Sequence, residues 1–177
     1  QVVQRMRRQG LSGVRWVRPE GMHLTLKFLG ETPGDKIEAI AWAMAQCAER
    51  VRPFELGIRG AGAFPNLRSP RVIWLGLAGQ VDLLKEVQAE LEKALETQGY
   101  PREERSFSPH LTLGRVNGRL PSAQTQALTE GLKQAEALEF PLVAVEAISL
   151  MESKLDREGA RYYQRRLIKL GVPLASK

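Results

Sequence analysis

Apolar and polar positions change period several times along the chain, and each change marks an element. Met22 to Leu29 alternates, with His23, Thr25 and Lys27 on one face and Leu24, Leu26 and Phe28 on the other, which predicts a strand ended by Gly30. The stretch from His110 alternates in the same way: His110, Thr112 and Gly114 share one face, and Leu111, Leu113 and Arg115 share the other. Ahead of the first of these, Gln1 to Gln9 reads as the end of a basic helix stopped by Gly10, Val14 to Val17 as a short strand, and Pro19-Glu20-Gly21 as a turn. Thr32 is placed to cap a helix with Pro33 at its first position and Asp35 in its first turn. Ile37, Ile40, Ala41, Met44, Ala48 and Val51 then follow at helical spacing, with Cys47 beside the stripe.

Phe54 to Phe64 alternates but is broken by Gly57, Gly60 and Gly62, the pattern of a bent or bulged strand. A loop at residues 65–70 joins it, as a hairpin, to a strand over Arg71 to Leu77. Leu84, Val87, Leu91, Ala94 and Leu95 mark an amphipathic helix from Val81 to about Thr97, ended by Gly99 and Pro101. Pro121 to Ala137 predicts a further, more polar helix with Leu128, Leu132 and Ala135 inward. Strands over Leu142 to Met151 and Ala160 to Leu170 flank a turn at Asp156-Arg157-Glu158-Gly159. Trp16, Trp42 and Trp74 read as core. Short connections between neighbouring strands favour antiparallel pairing, so the class is α+β, with helices alternating with strand pairs in two similar halves. No glycine-rich phosphate loop is present, since Gly60-Ala61-Gly62 lacks both the spacing and the following helix.

Composition adds three constraints. With 177 residues and 43% apolar content, the chain can bury a core as one domain or two small lobes. A formal charge of +6 points to acidic partners, and no apolar run approaches the ~18 residues of a spanning helix, which leaves nucleic acid ahead of membrane. A lone cysteine, Cys47, is read as a structural thiol and fits a reducing compartment; with no secretory signal in the first residues, a cytoplasmic protein is expected. The chain opens at Gln1 and not at methionine, so residues are expected to be missing before it.

Those constraints give weight to one repeat. The sequence holds only two histidines, and both open the same tetrapeptide, His23-Leu24-Thr25-Leu26 and His110-Leu111-Thr112-Leu113. A packing role does not call for the same His-x-Thr pair twice. Imidazole both gives and takes a proton near neutral pH, so two of them can divide one displacement at a phosphodiester. One removes the proton of the attacking oxygen, and the other protonates the oxygen that leaves. A threonine hydroxyl two residues on can donate to the nonbridging oxygens. This arrangement needs no metal, and two histidines on separate strands with one helical cysteine do not make a recognisable zinc site. No nucleophile elbow of the G-x-S-x-G kind occurs.

Arg115 is a candidate phosphate or RNA contact, although strict alternation places it opposite His110, so that it needs a bulge or a long reach to act there. Phe64 and Phe28 are candidates to stack on a base, with core packing as their plainer role. Arg5, Arg7, Arg8, Arg15 and Arg18 at the front, and Arg157, Arg161, Arg165, Arg166 and Lys169 at the back, would form a basic track if the two ends meet.

Together the paired motifs resemble those of the two-histidine phosphoesterase superfamily. The stretches Arg15-Trp16-Val17, His23 to Glu31, Gly62 to Asn66, Pro70 to Trp74, Phe107 to Arg115 and Ser153 to Tyr162 narrow the likeness to its bacterial and archaeal 2′-5′ RNA ligase branch, the RNA 2′,3′-cyclic phosphodiesterases. The resemblance implies a single bilobal domain over residues 1–177, with two antiparallel sheets lining a central cleft and helices on the outer faces. It implies water-driven opening of a terminal 2′,3′-cyclic phosphate on RNA to leave a 2′-phosphate, and joining of such an end to a 5′-hydroxyl through a 2′-5′ linkage without ATP. By the same likeness His23 and His110 are catalytic, with His23 favoured as acid and His110 as base, and Thr25 and Thr112 bind the phosphate; Arg115 and Phe64 stand as further RNA or phosphate contacts. No cofactor, metal or membrane is implied, the partner is RNA with a cyclic phosphate end, and a monomer is expected. The family usually opens with a short apolar strand ahead of the first helix, and here that strand is expected either to have been lost with residues before Gln1 or to be absent. The competing readings are an RNA-end-binding module without turnover, and a phosphodiesterase acting on a small cyclic nucleotide or a 2′-5′ oligonucleotide.

Overall fold

The computed structural model describes residues 2–156 and 159–173. Among them lie four α-helices, α1 (Val2–Arg7), α2 (Ile37–Glu49), α3 (Val81–Glu96) and α4 (Ser122–Glu136). The strands are β1 (Val14–Trp16), β2 (Phe54–Phe64), β3 (Val72–Gly79), β4 (His110–Val116), β5 (Val143–Val145), β6 (Ala147–Asp156) and β7 (Gly159–Lys169). They make two antiparallel sheets, one in the order β1-β4-β3-β2-β5 and the other the pair β6-β7. The α+β class read from the sequence is borne out. None of the described helices is long and apolar enough to cross a membrane.

Two compact units divide the chain. The first gathers residues up to Leu24, Gly57–Ala78 and Pro109–Leu142. Its core forms where the inward face of β3 and β4, Ile73, Leu75 and Leu113, meets Met6 of α1 and Leu128 and Leu132 of α4. Gly131 lets α1 and α4 approach, because a Cβ there would stand 3.3 Å from Met6 Cγ. The second unit holds Thr25–Leu56, Gly79–Ser108 and the chain from Val143 onward. There α2 packs against α3 and the β6-β7 ribbon, with Ile40, Met44, Leu84, Val87 and Leu91 buried.

Several expectations are corrected. The segment Met22–Leu29 is not a strand: only Leu24 pairs, in an isolated antiparallel bridge to Leu111. The reason is edge space. β4 has β3 on one side and β1 on the other, and β1 already occupies Gly114 to Val116, with Val17 N donating to Leu113 O at 2.8 Å. The chain then turns away through a 3₁₀ turn at Pro19–Gly21 and touches β4 again only at Leu24. Phe28, freed from any ladder, is 78% exposed rather than core.

Trp42 is likewise exposed, because it lies two residues from Ile40 and so about 200° around the helix from the buried stripe. Thr32 caps no helix: its hydroxyl donates to Gly30 O at 3.4 Å, and a 3₁₀ turn at Gly34–Lys36 intervenes before α2 begins. The strand expected over Leu142 to Met151 is two strands, β5 joining β2 and β6 joining β7, which change sheets at Glu146. Of the turn expected after β6, Arg157 and Glu158 lie outside the described residues.

Candidate active site

Both histidines belong to the first unit, and the Leu24–Leu111 bridge brings their tetrapeptides side by side. His23 precedes Leu24 and His110 precedes Leu111, so each imidazole lies one residue from the bridged leucines, on opposite sides of an antiparallel bridge. His23 is exposed, and its Nδ1 lies 2.8 Å from Gly21 O. A carbonyl accepts only, so Nδ1 carries the hydrogen and donates to it. The Pro19–Gly21 turn that took the first motif out of the sheet therefore also sets the orientation of its imidazole.

His110 is half-buried at the start of β4, and its ring is held from the side. The Phe64 ring meets it edge-on, with centroids 5.0 Å apart and planes at 78°. Phe64 in turn leans on Trp74, 5.1 Å between centroids. Trp74 reaches that position because Gly62 has no side chain: a Cβ there would come within 2.5 Å of the indole ring. Gly62, Phe64, Trp74 and His110 thus form one packed series across β2, β3 and β4. Trp74 is half-buried and turned toward the histidine; the expectation of an ordinary core tryptophan missed this, and the small residue Gly62 two positions before Phe64 was the available signal.

Residues that pair directly across an antiparallel ladder share a face. Gly76 pairs with His110 and Trp74 with Thr112, so His110 and Thr112 share the face of Trp74. Between Ile73 and Trp74 the register shifts, and Ile73 pairs with Gly114 and Val72 with Arg115. Leu113 is the extra residue of this bulge and is 2% exposed, in the core. Because Val72, Trp74 and Gly76 lie on one face of β3, the bulge returns Arg115 to the face of His110. The bulge that strict alternation demanded is present. Arg15 pairs with Arg115 on the same face, and both are exposed with no carboxylate against them among the described residues.

Thr25 begins the second unit and is half-buried. Beyond it Lys27, read on the face shared with His23 and Thr25, has a buried side chain: its Nζ meets Glu92 Oε2 of α3 at 2.5 Å and donates to Pro101 O at 2.7 Å. Periodicity gave no sign of this pair. The basic track is partly spent, since Arg165 pairs with Glu152 and Arg166 with Glu38, and Arg157 lies outside the described residues. Cys47 is a partly buried free thiol whose pKa is pushed up by burial and by the Glu90 carboxylate. No group of three or more metal-ligating side chains occurs among the described residues.

Known proteins share this construction. A family model described as the 2′-5′ RNA ligase superfamily matches residues 1–157. An RNA 2′,3′-cyclic phosphodiesterase of Methanothermobacter thermautotrophicus is 34% identical over 157 residues, which cover 89% of this chain and 83% of the relative. One of Aeropyrum pernix is 34% identical over 149 residues, 84% of this chain and 82% of that one. A crystal structure of a Thermus thermophilus protein superimposes with a TM-score of 0.72 at 25% identity, over 96% of this chain and 92% of the other. With the family model spanning most of its length, the chain belongs to the 2′-5′ RNA ligase superfamily.

Proposed function

We propose that this protein is an RNA 2′,3′-cyclic phosphodiesterase that works without a metal, through His23 and His110. The observation that supports the reading is the bridge between Leu24 and Leu111, each the residue directly after one of the two histidines in the sequence. His110 Nε2 takes a proton from water as its oxygen attacks phosphorus. His23 Nε2 gives a proton to the 3′ oxygen as its bond to phosphorus breaks, leaving a 2′-phosphate and a 3′-hydroxyl. Thr25 and Thr112 donate hydroxyl hydrogens to the nonbridging oxygens, and Arg115, farther along β4 on the face of His110, contacts a phosphate of the RNA strand. Phe64 holds the His110 ring in place of the base-stacking role considered for it.

A 5′-hydroxyl in place of water gives a 2′-5′ linkage with the same two proton transfers and no ATP, so ligation belongs to the same reading. The names of the relatives, RNA 2′,3′-cyclic phosphodiesterases, support the substrate. The reading takes the chain as one catalytic domain acting as a monomer in the cytoplasm. The test is product analysis on an oligoribonucleotide with a 2′,3′-cyclic end in excess chelator. A 2′-phosphate product is expected, and its loss in the His23→Ala, His110→Ala double variant; full activity in that variant refutes the assignment. Tight, salt-sensitive RNA binding with no product over hours would instead favour an RNA-end-binding module.

A further inference from the structure

A cavity of about 670 Å³ opens at the end of β4 remote from His110, lined by Arg68, Ser69, Arg71, Val116, Gly118 and Arg119. It lies wholly within the first unit and contains neither histidine. Its frame is fixed by backbone. Asn66 Oδ1 accepts from the amides of Arg68 and Ser69, each at 3.0 Å. Arg71 N donates to Phe64 O at 2.7 Å, and Val116 N donates to Arg71 O at 2.9 Å. Gly118 takes a φ of 75°, a left-handed turn that brings Arg119 back to the rim.

Three exposed guanidiniums therefore converge on one concavity, and none of them meets a carboxylate among the described residues. Among the described residues no acidic side chain lines the cavity. Like charges held together in this way repel, and the group that relieves them is an anion with paired oxygens, which the guanidinium fork matches. The volume exceeds what a single phosphate fills and lies in the range of whole-ligand sites. Its place on the fold narrows the anion further. Val116 lies six residues along β4 from His110, about 20 Å at the rise of an extended strand. Arg115 lies between the two on β4, and Arg15 stands across from it on the neighbouring β1.

We propose that this cavity docks internal phosphodiesters of the RNA strand, a few nucleotides from the end that reaches the histidines. It deepens the reading of the protein as an RNA cyclic phosphodiesterase and rests on it for the identity of the strand. A chain of phosphates running along β4 meets Arg115 and Arg15 first, then Arg71, Arg68 and Arg119. Such a track makes the enzyme prefer an oligomer to a mononucleotide without touching the reacting atoms.

The test uses the full chain with Arg68→Ala and Arg119→Ala together. Binding of a fluorescently labelled single-stranded oligoribonucleotide with a plain 3′-hydroxyl is measured over a salt series. Removing two phosphate contacts should weaken binding at least tenfold at low salt and flatten the slope of log K against log salt by about 1.4. KM for a cyclic-ended oligomer should rise similarly, with kcat/KM for the 2′,3′-cyclic mononucleotide unchanged. The charge-keeping Arg68→Lys, Arg119→Lys variant should retain most of the slope, which separates lost charge from lost folding. An unchanged slope in the alanine variant overturns the proposal, as does an equal loss on mononucleotide and oligomer. Inorganic phosphate that binds at these arginines as tightly as the oligomer would also overturn it, since the site would then serve a small anion. If the wild-type protein turns over neither substrate, the catalytic reading fails while the binding slopes still decide the cavity.

Discussion

Replacing Lys27 by methionine removes one half of an ion pair that is almost wholly out of water, with 5% of the Lys27 side chain and 9% of the Glu92 side chain exposed. Breaking a buried pair by deleting one partner costs about 3–5 kcal/mol, mostly because the other charge is left uncompensated. Glu92 is not left bare, however. Its carboxylate still accepts from Gln88 Nε2 at 3.1 Å and from Glu103 N at 3.2 Å. Lys27→Met therefore belongs near the lower end, about 3 kcal/mol. Glu92→Leu leaves the ammonium with Pro101 O alone and strips an acceptor from two donors, which places it nearer the upper end, about 5 kcal/mol.

The double variant buries no charge at all, so it should lie within about 2 kcal/mol of the wild type, far from the sum of the single losses. Thermal unfolding followed by circular dichroism reads this directly. At about 2–4 °C per kcal/mol for a chain of this size, Lys27→Met should lower Tm by about 6–12 °C. The pair also has a consequence for function. Gln88 Nε2 donates to Leu26 O at 3.4 Å, so α3 holds the chain directly after the His-Leu-Thr motif through the Leu26 carbonyl and the Lys27 side chain. Well below its Tm, Lys27→Met should lose kcat more than KM, and the double variant should recover stability without recovering all of kcat. Additive losses in the double variant, or a Lys27→Met loss under 1 kcal/mol, would show that the pair is solvated and would sink the argument.

Other outcomes follow from the same geometry. His23→Ala and His110→Ala should each lower kcat/KM on a cyclic-ended oligomer by about 10²–10⁴, and the double variant by less than the product of the two, since the residues act on one transition state. Phe64→Leu removes an edge-to-face contact with His110 worth about 0.5–1.5 kcal/mol, so a fall in kcat of about two- to tenfold is expected, and an unchanged kcat would leave the ring as mere packing. Inorganic phosphate should raise the Tm of the wild type and raise it clearly less in Arg115→Ala; equal shifts would remove Arg115 from the phosphate site. Cys47 holds its proton more tightly folded than unfolded, because burial and Glu90 oppose the thiolate. Below about pH 8.5 both states keep the proton and nothing changes; as pH rises beyond that the unfolded chain loses it first, so stability should fall, and Cys47→Ala should abolish that part of the fall.

Periodicity carried most of the fold because most elements here are decided by one face. The inward sets of α4 (Leu128, Leu132, Ala135) and α3 (Leu84, Val87, Leu91, Leu95) are the buried ones, and β2, β3 and β4 form where alternation or a short apolar run marks them. Where the reading failed, a local pattern met a limit set by a distant element. Met22 to Leu29 alternates well enough for a strand, but β1 had already taken most of the free edge of β4. Lys27 looks like any strand lysine until Glu92, 65 residues on, is folded against it. Arg68, Arg71 and Arg119 come from two connections whose convergence no spacing rule encodes.

The odd spacing between His110 and Arg115 carries more information than the motif itself. Five residues apart on a strand, two side chains lie on opposite faces, so an arginine meant for the phosphate is on the wrong side unless one residue is absorbed. Leu113 is that residue: it sinks into the core and hands the outward face from Thr112 to Arg115. Once there, Arg115 stands directly across from Arg15, a like-charge pair that costs the empty fold about 0.2–1 kcal/mol. A core that needed only packing would shed both the bulge and the repulsion. On the proposed reading, a phosphate of the RNA strand shared by both arginines would offset that repulsion. The order His-Leu-Thr-Leu-Gly-Arg is therefore an instruction about backbone as well as side chains, in which the second leucine serves as the hinge of the face.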